Sequence, residues 1–304
     1  MPAGIINTGS HPKALWPGVH AFWGQIYDEH PKEYPDLYDL DSSTMPYVED
    51  VQITGLGLAQ LKPELSAGFY DSEIQGPITR YTHLAYAAGY QVSYEERRDN
   101  QYEVIAMRRA KANAFSMNQT IEVVAAAYYN GAFTTSLTSD GVSLINTAHV
   151  QTTGGTFSNA LFPAADLSES TLEDIAIQIM GVQTDRGLNI ALMPTSLHIA
   201  RNEWFNATRI LKSVLQNDTS INAVNALRAT NAFPKGAVIN HYFTSAHAWF
   251  VRTNCPNGMN FYWREQPSFA QDNDFDTKNA KALAYMRFSC GCTDPRSIFG
   301  SNGP

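Results

Sequence analysis

Eight histidines, three cysteines and one alternating run of aspartates are the side chains best suited to hold a metal or move a proton. A helical zinc protease site needs two histidines four residues apart with a glutamate between them. None of His11, His20, His30, His83, His149, His198, His241 and His247 is spaced that way. His241 and His247 lie six apart in β-prone sequence, which can place them on one face, but no acidic partner is near in sequence. Asp272, Asp274 and Asp276 alternate as calcium ligands do. The glycine and glutamate needed at the sixth and twelfth positions of such a loop are Thr277 and Leu283 here. Cys290 and Cys292 stand two apart with only Cys255 besides, short of four zinc ligands and unlike a disulfide framework. Ser143, in Gly141-Val142-Ser143-Leu144-Ile145, lacks the second glycine of a nucleophile elbow. Gly55-Leu56-Gly57-Leu58-Ala59-Gln60 lacks the last glycine of a dinucleotide fingerprint. The expectation is no catalytic residue, no metal, no cofactor, and reduced thiols in a cytosolic setting.

The 304 residues are 44% hydrophobic, 12% aromatic and only 16% charged. Low charge with many aromatics suits a chain that buries surface against other subunits. The net charge is -8. Phosphate affinity comes mostly from Lys and Arg, so a basic nucleic-acid binder is disfavoured. Most of the net negative charge falls in residues 1–50, where only Lys13 and Lys32 oppose the acids. The main basic cluster is Arg97, Arg98, Arg108, Arg109 and Lys111, diluted by Glu95, Glu96, Asp99 and Glu103. It reads as a solvated face or inter-subunit ion pairs, with nucleic-acid contact as the sharper alternative. No run of 18 apolar residues predicts a membrane span, and the first residues do not resemble a secretory signal.

Residues 1–50 hold six prolines, too closely spaced for a helical or strand period, yet also Trp16, Phe22, Trp23, Tyr27, Tyr34, Tyr38 and Tyr47. The expectation is an extended arm that lies on a surface and inserts its aromatic anchors, with no local core of its own. Residues 51–95 read as a long β-hairpin with a polar, Gly-rich tip around Lys62, Glu64, Phe69 and Tyr70. The tip is too polar to form a core of its own.

The clearest helix is expected over 99–131, about 50 Å long at 1.5 Å per residue. Asn100 and Glu103 suggest its capping box, and Tyr102, Ala106, Ala110, Ala114, Met117, Ile121, Val124 and Tyr128 form its apolar stripe. The alternative is two helices broken near Phe115-Ser116. Ser170 with Glu173 suggests a second capping box, before a helix stopped by Gly181. Leu188–Met193 reads as a buried strand, with a helix opening at Pro194-Thr195. Antiparallel strands are expected at 237–242, 248–252 and 258–264, an acidic loop at 266–277, and a closing strand at 281–290.

Several stretches, in order, resemble the major capsid (head) protein of tailed bacteriophages, the Hong Kong 97-like fold. Gly89-Tyr90-Gln91-Val92-Ser93-Tyr94-Glu95-Glu96, leading through Asp99 into the long helix, resembles the base of that family's extended loop entering its spine helix. Asn130-Gly131-Ala132-Phe133 and Asp140-Gly141, followed by His149, are similar to the Asp-Gly…His segment after the spine. Ala191-Leu192-Met193-Pro194-Thr195-Ser196-Leu197 is similar to the axial domain's strand-Pro-helix step. Tyr285-Met286-Arg287-Phe288, ending in Asp294-Pro295-Arg296-Ser297-Ile298-Phe299-Gly300, is similar to the peripheral domain's closing strand and tail.

The resemblance implies an α+β chain: N-terminal arm 1–50, extended β-hairpin loop 51–95, peripheral domain with spine helix 96–163, axial domain 164–265, and closing strand and tail 266–304. It implies hexamers and pentamers of the chain closing into an icosahedral head around double-stranded DNA held non-specifically. Portal, scaffolding and decoration proteins would be partners, no membrane would be involved, and assembly would occur in the host cytoplasm. Trp16, Phe22, Trp23, Tyr27, Tyr34, Lys62, Glu64, Phe69 and Tyr70 would then contact neighbouring subunits. Arg108, Arg109 and Lys111 would form the spine's basic face. No long charged helical segment precedes the arm, so scaffolding is expected from a separate protein or not at all. Some relatives crosslink a loop lysine to a neighbour's asparagine; Lys62 sits near the tip, but a lysine in a turn is common. Removal of residues 1–45 is expected to leave a folded subunit that no longer assembles. The alternatives are an encapsulin-like bacterial shell packaging proteins, a monomeric hydrolase with scattered catalytic residues, and a receptor- or glycan-binding virion protein.

Overall fold

The computed structural model describes Trp23, Tyr27 and residues 31–95, 102–216 and 223–303, with no side-chain detail for 102–106. Two four-stranded sheets, each with its own apolar core, carry the fold. Helix α1 (Tyr34–Leu37) leads into β1 (Asp39–Ser42), and β2 (Tyr47–Ile53) then pairs only with β3 (Gln75–Thr82) as an antiparallel ribbon. β4 (Leu84–Val92) follows, and then the long helix α2 (Tyr102–Asn130). The hairpin of β10 (Met259–Asn273) and β11 (Ala280–Cys292) completes the main sheet in the order β1-β10-β11-β4.

Helix α2 is unbroken across Phe115-Ser116 and runs about 43 Å. It contains no Gly or Pro and many Ala, so nothing in its interior opposes helix. Its buried face is Ala110, Asn113, Ala114, Met117, Asn118, Ile121, Glu122, Ala125, Ala126 and Tyr129, a 3-and-1 alternation that the apolar stripe anticipates. It stops at Gly131, where the following turn leaves no room for a Cβ, which would sit 2.4 Å from Thr135 Oγ1 and 2.5 Å from Ser136 Oγ. The Asn100–Glu103 cap lies outside the described side chains.

This face packs on Phe261, Trp263, Phe269, Ala284, Met286 and Phe288 of the main sheet. The arm closes the same core, which corrects the expectation of anchors without a core of their own. Trp23 stacks between Tyr27 and Phe269, at 5.3 and 5.4 Å between ring centres, and its Nε1 donates to Asn113 Oδ1 at 2.9 Å. Tyr34 leans on Phe261, and the Tyr38 hydroxyl donates to the Ala125 carbonyl at 2.8 Å. The arm supplies what the helix and sheet leave open, a lid of large rings over a layer of alanines. Trp23, Tyr27, Tyr34, Leu37 and Tyr38 therefore belong to the subunit's own core.

The second sheet has the order β12-β9-β7-β8, from β7 (Pro194–Ala200), β8 (Ala237–Asn240), β9 (Trp249–Thr253) and β12 (Ile298–Ser301). Helices α3 (Glu169–Met180) and α4 (Trp204–Lys212) share one core with it through Leu172, Ile175, Ile179, Ala207 and Ile210. The short helix α5 (Ala226–Ala229) packs beside α4.

Four local expectations are corrected. The cap of α3 is Ser168, whose Oγ accepts from Thr171 N while Thr171 Oγ1 accepts from Ser168 N. The Ser170–Glu173 pair lies two residues too far in; Gly181 does end the helix. Residues 188–193 are not a strand, since Ala191 has φ +54 there. Pro194–Ala200 is a strand, not a helix start, and the α-helix begins only at Trp204, after a 3-10 turn at Arg201–Glu203. The supposed acidic loop is the far half of the β10–β11 hairpin, turned at Asp274 and Lys278. In pairing, β4 belongs to the main sheet and not to the ribbon, β10 lies wholly in the main sheet, and β8 runs parallel to β7. A two-strand pair, β5 (His149–Val150) with β6 (Thr156–Phe157), follows the spine.

Candidate assembly surfaces

The ribbon has two faces to the world and little of its own to cover them. Beyond the paired strands, residues 54–74 form an irregular loop closed by few bonds. Thr54 N donates to the Ile74 carbonyl at 3.1 Å, and Gly57 N donates to Asp71 Oδ2 at 2.8 Å. Two amide bonds, from Gly57 and Ser72, hold the Asp71 carboxyl below the usual range. Leu58, Leu61, Leu65, Phe69 and Tyr70 all project from this loop, Leu61 at 94% exposure. Lys62 and Glu64 are exposed beside them. A contact from the turn after α3 steadies the loop: Arg186 donates to the Ser72 carbonyl and lies 3.8 Å from Asp71 Oδ1.

Of the other expected contact residues, Trp16 and Phe22 lie outside the described residues. Trp23, Tyr27 and Tyr34 are buried in the subunit's own core, as set out above. On the spine, Arg108 and Lys111 are exposed one turn apart, and Arg109 is half-buried. Arg97 and Arg98 lie outside the described residues.

The polar clusters brace the chain. Glu122, buried on the spine, accepts from Glu33 N at 2.9 Å and Tyr34 N at 3.0 Å, so the spine grips the arm by its backbone. Burial, with the nearby Glu33 and Asp36 charges, outweighs those bonds and pushes the Glu122 carboxyl up to about 7. Glu33 in turn accepts from both the backbone amide and ring of His241.

Asp140 and His149 meet after the spine, as the Asp-Gly…His segment suggested. Nδ1 of His149 lies 2.7 Å from Asp140 Oδ2, and Nε2 lies 3.1 Å from Asn159 Oδ1. Burial opposes ionisation of Asp140, but its bonds to His149 and Thr138 win and hold the carboxyl below its ordinary value. Asn159 Nδ2 reaches the Leu144, Pro295 and Ile298 carbonyls within 3.1 Å, tying this turn to the closing segment. Ser143, His149 and Asp140 are the residue types of a hydrolytic triad. No relay is made: Ser143 Oγ donates to the Ile145 carbonyl, the histidine nitrogen that would take its proton faces Asn159, and all are buried.

The remaining candidates are likewise occupied. Arg296 pairs with Asp185 and Asp294 and donates to the Gln183 carbonyl. His198, which burial and the Arg252 and Lys235 charges keep neutral down to about 3, faces Ser196 Oγ at 2.8 Å. Asp274 binds Lys281 Nζ at 2.7 Å across the hairpin turn. Burial raises all three thiols, Cys290 to about 11. Among the described residues no cluster of His, Cys, Asp and Glu could hold a metal, and no helix is long and apolar enough to cross a membrane.

The fold matches capsid structures along most of its length. The cyanophage P-SCSP1u capsid superposes with TM-score 0.57 at 10% identity, covering 90% of this chain and 88% of that one. The virus-like particle from Pyrococcus furiosus gives 0.54 at 10% identity, covering 94% and 98%. The structure from Mycobacterium phage Patience gives 0.51 at 11% identity, covering 98% and 89%. A sequence search against curated proteins gives no match. Spine helix, ribbon and two-sheet body therefore make a mixed α and β fold shared with capsid structures. The chain belongs to the phage capsid protein family, whose model matches residues 77–300, which makes its role structural.

Proposed function

We propose that this chain forms hexamers and pentamers that close into an icosahedral head around double-stranded DNA. The observation that carries the reading is the ribbon, whose leucine and aromatic side chains at 56–74 have no cover in their own subunit. Exposed apolar surface of that extent marks an interaction site, and a second copy is the partner that a capsid fold supplies. Lys62, Glu64, Phe69 and Tyr70 are the contact residues of that ribbon. Arg108 and Lys111 supply weak, sequence-independent contact with packaged DNA, consistent with a chain that is acidic as a whole. Assembly takes place in the host cytoplasm, with portal, scaffolding and decoration proteins as partners.

Particle mass tests this: light scattering on a sizing column, with negative-stain images of the peak. Shells or capsomer rings are expected, alone or with co-expressed phage assembly factors. A monomer under both conditions overturns the reading. A second reading is an encapsulin-like shell that packages proteins, and the likeness to the Pyrococcus furiosus virus-like particle fits a shell of either kind. Nuclease-treated particles that retain DNA support the head, and particles that retain only protein support the second reading.

A further inference from the structure

The two helices of the second sheet carry opposite charge on their outward sides. From residue 166 to 180 the chain has Asp166, Glu169, Glu173 and Asp174 and no basic residue. From 204 to 216 and 223 to 237 it has Arg209, Lys212, Arg228 and Lys235 and no acidic one. Asp218 is in the intervening stretch, outside the described residues. α3 packs against β12 at one edge of the sheet and α4 against β8 at the other. Their cores join on one face of the sheet, so the acidic and basic surfaces lie toward opposite ends of one layer.

The basic side is also concave. A half-open groove of about 350 Å³ runs between α4, α5 and the segment up to β8, lined by Trp204, Leu211, Lys212, Arg228, Phe233 and Lys235. Lys212, Arg228 and Lys235 are exposed at its rim. None of the three has a carboxylate partner among the described residues; Arg228 Nη1 donates only to the Lys212 carbonyl. Trp204 and Phe205 are stacked and stand out beside the groove. The outer stripe of α3 has the matching character: Asp174 is exposed, and Ile177 and Met180 are large apolar side chains left open to solvent.

We propose that a second copy of this chain seats the outer stripe of α3 in this groove, Asp174 and Glu173 meeting the basic rim and Ile177 and Met180 meeting Trp204. The inference rests on the capsid reading and names a contact within it. Donor and acceptor surfaces are different patches at opposite ends of the layer, so the contact is head-to-tail. Such contacts close into rings or run on as filaments, never into isolated dimers. Opposite charge at the rim sets register and partner choice, while the apolar pair and indole supply the desolvated centre.

The test reverses the charges in the full-length chain. One variant carries Glu173→Lys and Asp174→Lys, a second carries Lys212→Glu and Lys235→Glu, and a third carries all four. Assembled mass is read by light scattering and folding by thermal unfolding. Each half-reversed chain is expected to lose at least tenfold in assembled fraction at an unchanged unfolding temperature. The fourfold variant is expected to recover it. Should a reversed chain fail to fold, Asp174→Asn and Lys212→Gln are judged by the same loss. A folded half-reversed chain that assembles like the parent overturns the docking and leaves the capsid reading intact. A parent that never assembles removes both.

Discussion

Nδ1 of His149 and Oδ2 of Asp140 lie 2.7 Å apart with both side chains closed off from solvent. The pair joins the turn after the spine to the β5–β6 strands, and through Asn159 to the closing segment. Breaking one side leaves a buried polar group unpaired. Asp140→Asn is expected to cost about 3 kcal/mol of unfolding free energy, read by denaturant unfolding of the dissociated subunit. The folded carboxyl sits below its ordinary value. Its contribution is therefore present above about pH 4 and fades as pH falls below that. An acid limb identical in parent and Asp140→Asn would contradict this.

Glu122 titrates in the opposite sense. Its carboxyl is pushed up to about 7 in the fold, above the unfolded value, so stability is greatest below pH 4.5 and declines as pH rises through 7. Relative to Glu122→Gln, the parent is expected to lose on the order of 2 kcal/mol between pH 5 and 8. Taking the difference removes His198 and Asp140, which titrate in both chains. A difference that stays flat with pH would show that this carboxyl keeps its ordinary behaviour.

Removing residues 1–45 takes Trp23, Tyr27, Tyr34, Leu37 and Tyr38 from the main core and strips β1 from β10. Loss of one large buried ring costs about 3–5 kcal/mol, and domains have only about 5–15 to lose. The truncated chain is expected to be insoluble or to lack a cooperative unfolding transition. A soluble, sharply melting product would mean that the arm is an accessory.

Arg186 is the strut of the ribbon loop. Arg186→Ala removes its bond to the Ser72 carbonyl and its pairing with Asp71. Amide exchange across 54–74 is expected to speed up severalfold with the unfolding temperature unchanged, because none of these residues is in a core. Unchanged exchange would place the restraint elsewhere.

The three thiols are raised by burial and none is paired. A thiol reagent at pH 8 is expected to react slowly with the native chain and with all three after denaturation. Fast native reaction would locate an open cysteine.

The elements legible in the sequence were those whose burial has a period. Ala110, Ala114, Met117 and Ile121 recur at helical steps because one side of α2 meets the sheet and the other does not. β7 has no such contrast: Pro194 and Ser196–Ala200 are buried on both faces, so neither helical nor strand alternation is visible. The far half of β10 was hidden by composition, since Gln266, Ser268, Gln271 and Asp272 sit where the hairpin is half-solvated. The arm's rings were legible as anchors, but not whose core they fill. That is decided by the alanines of α2, which leave room for them. The surface ribbon was legible because its residues have nowhere to hide within the chain.

The ribbon's two legs rise from opposite borders of the main sheet. β2 follows β1 at one border after residues 43–46, and β3 runs into β4 at the other across the single residue His83. Three strand spacings, roughly 14 Å, separate feet that converge to a single spacing within the ribbon. A push at the tip is therefore delivered as opposed forces on the two outermost strands, a torque about the sheet's own axis. Tyr81, hydroxyl 2.6 Å from Thr293 Oγ1, and His83, Nδ1 2.9 Å from Ser289 Oγ, carry one side of that couple into β11 and the residue after it. In a lattice of such subunits, what a neighbour does to the ribbon is felt as twist in the body beneath it.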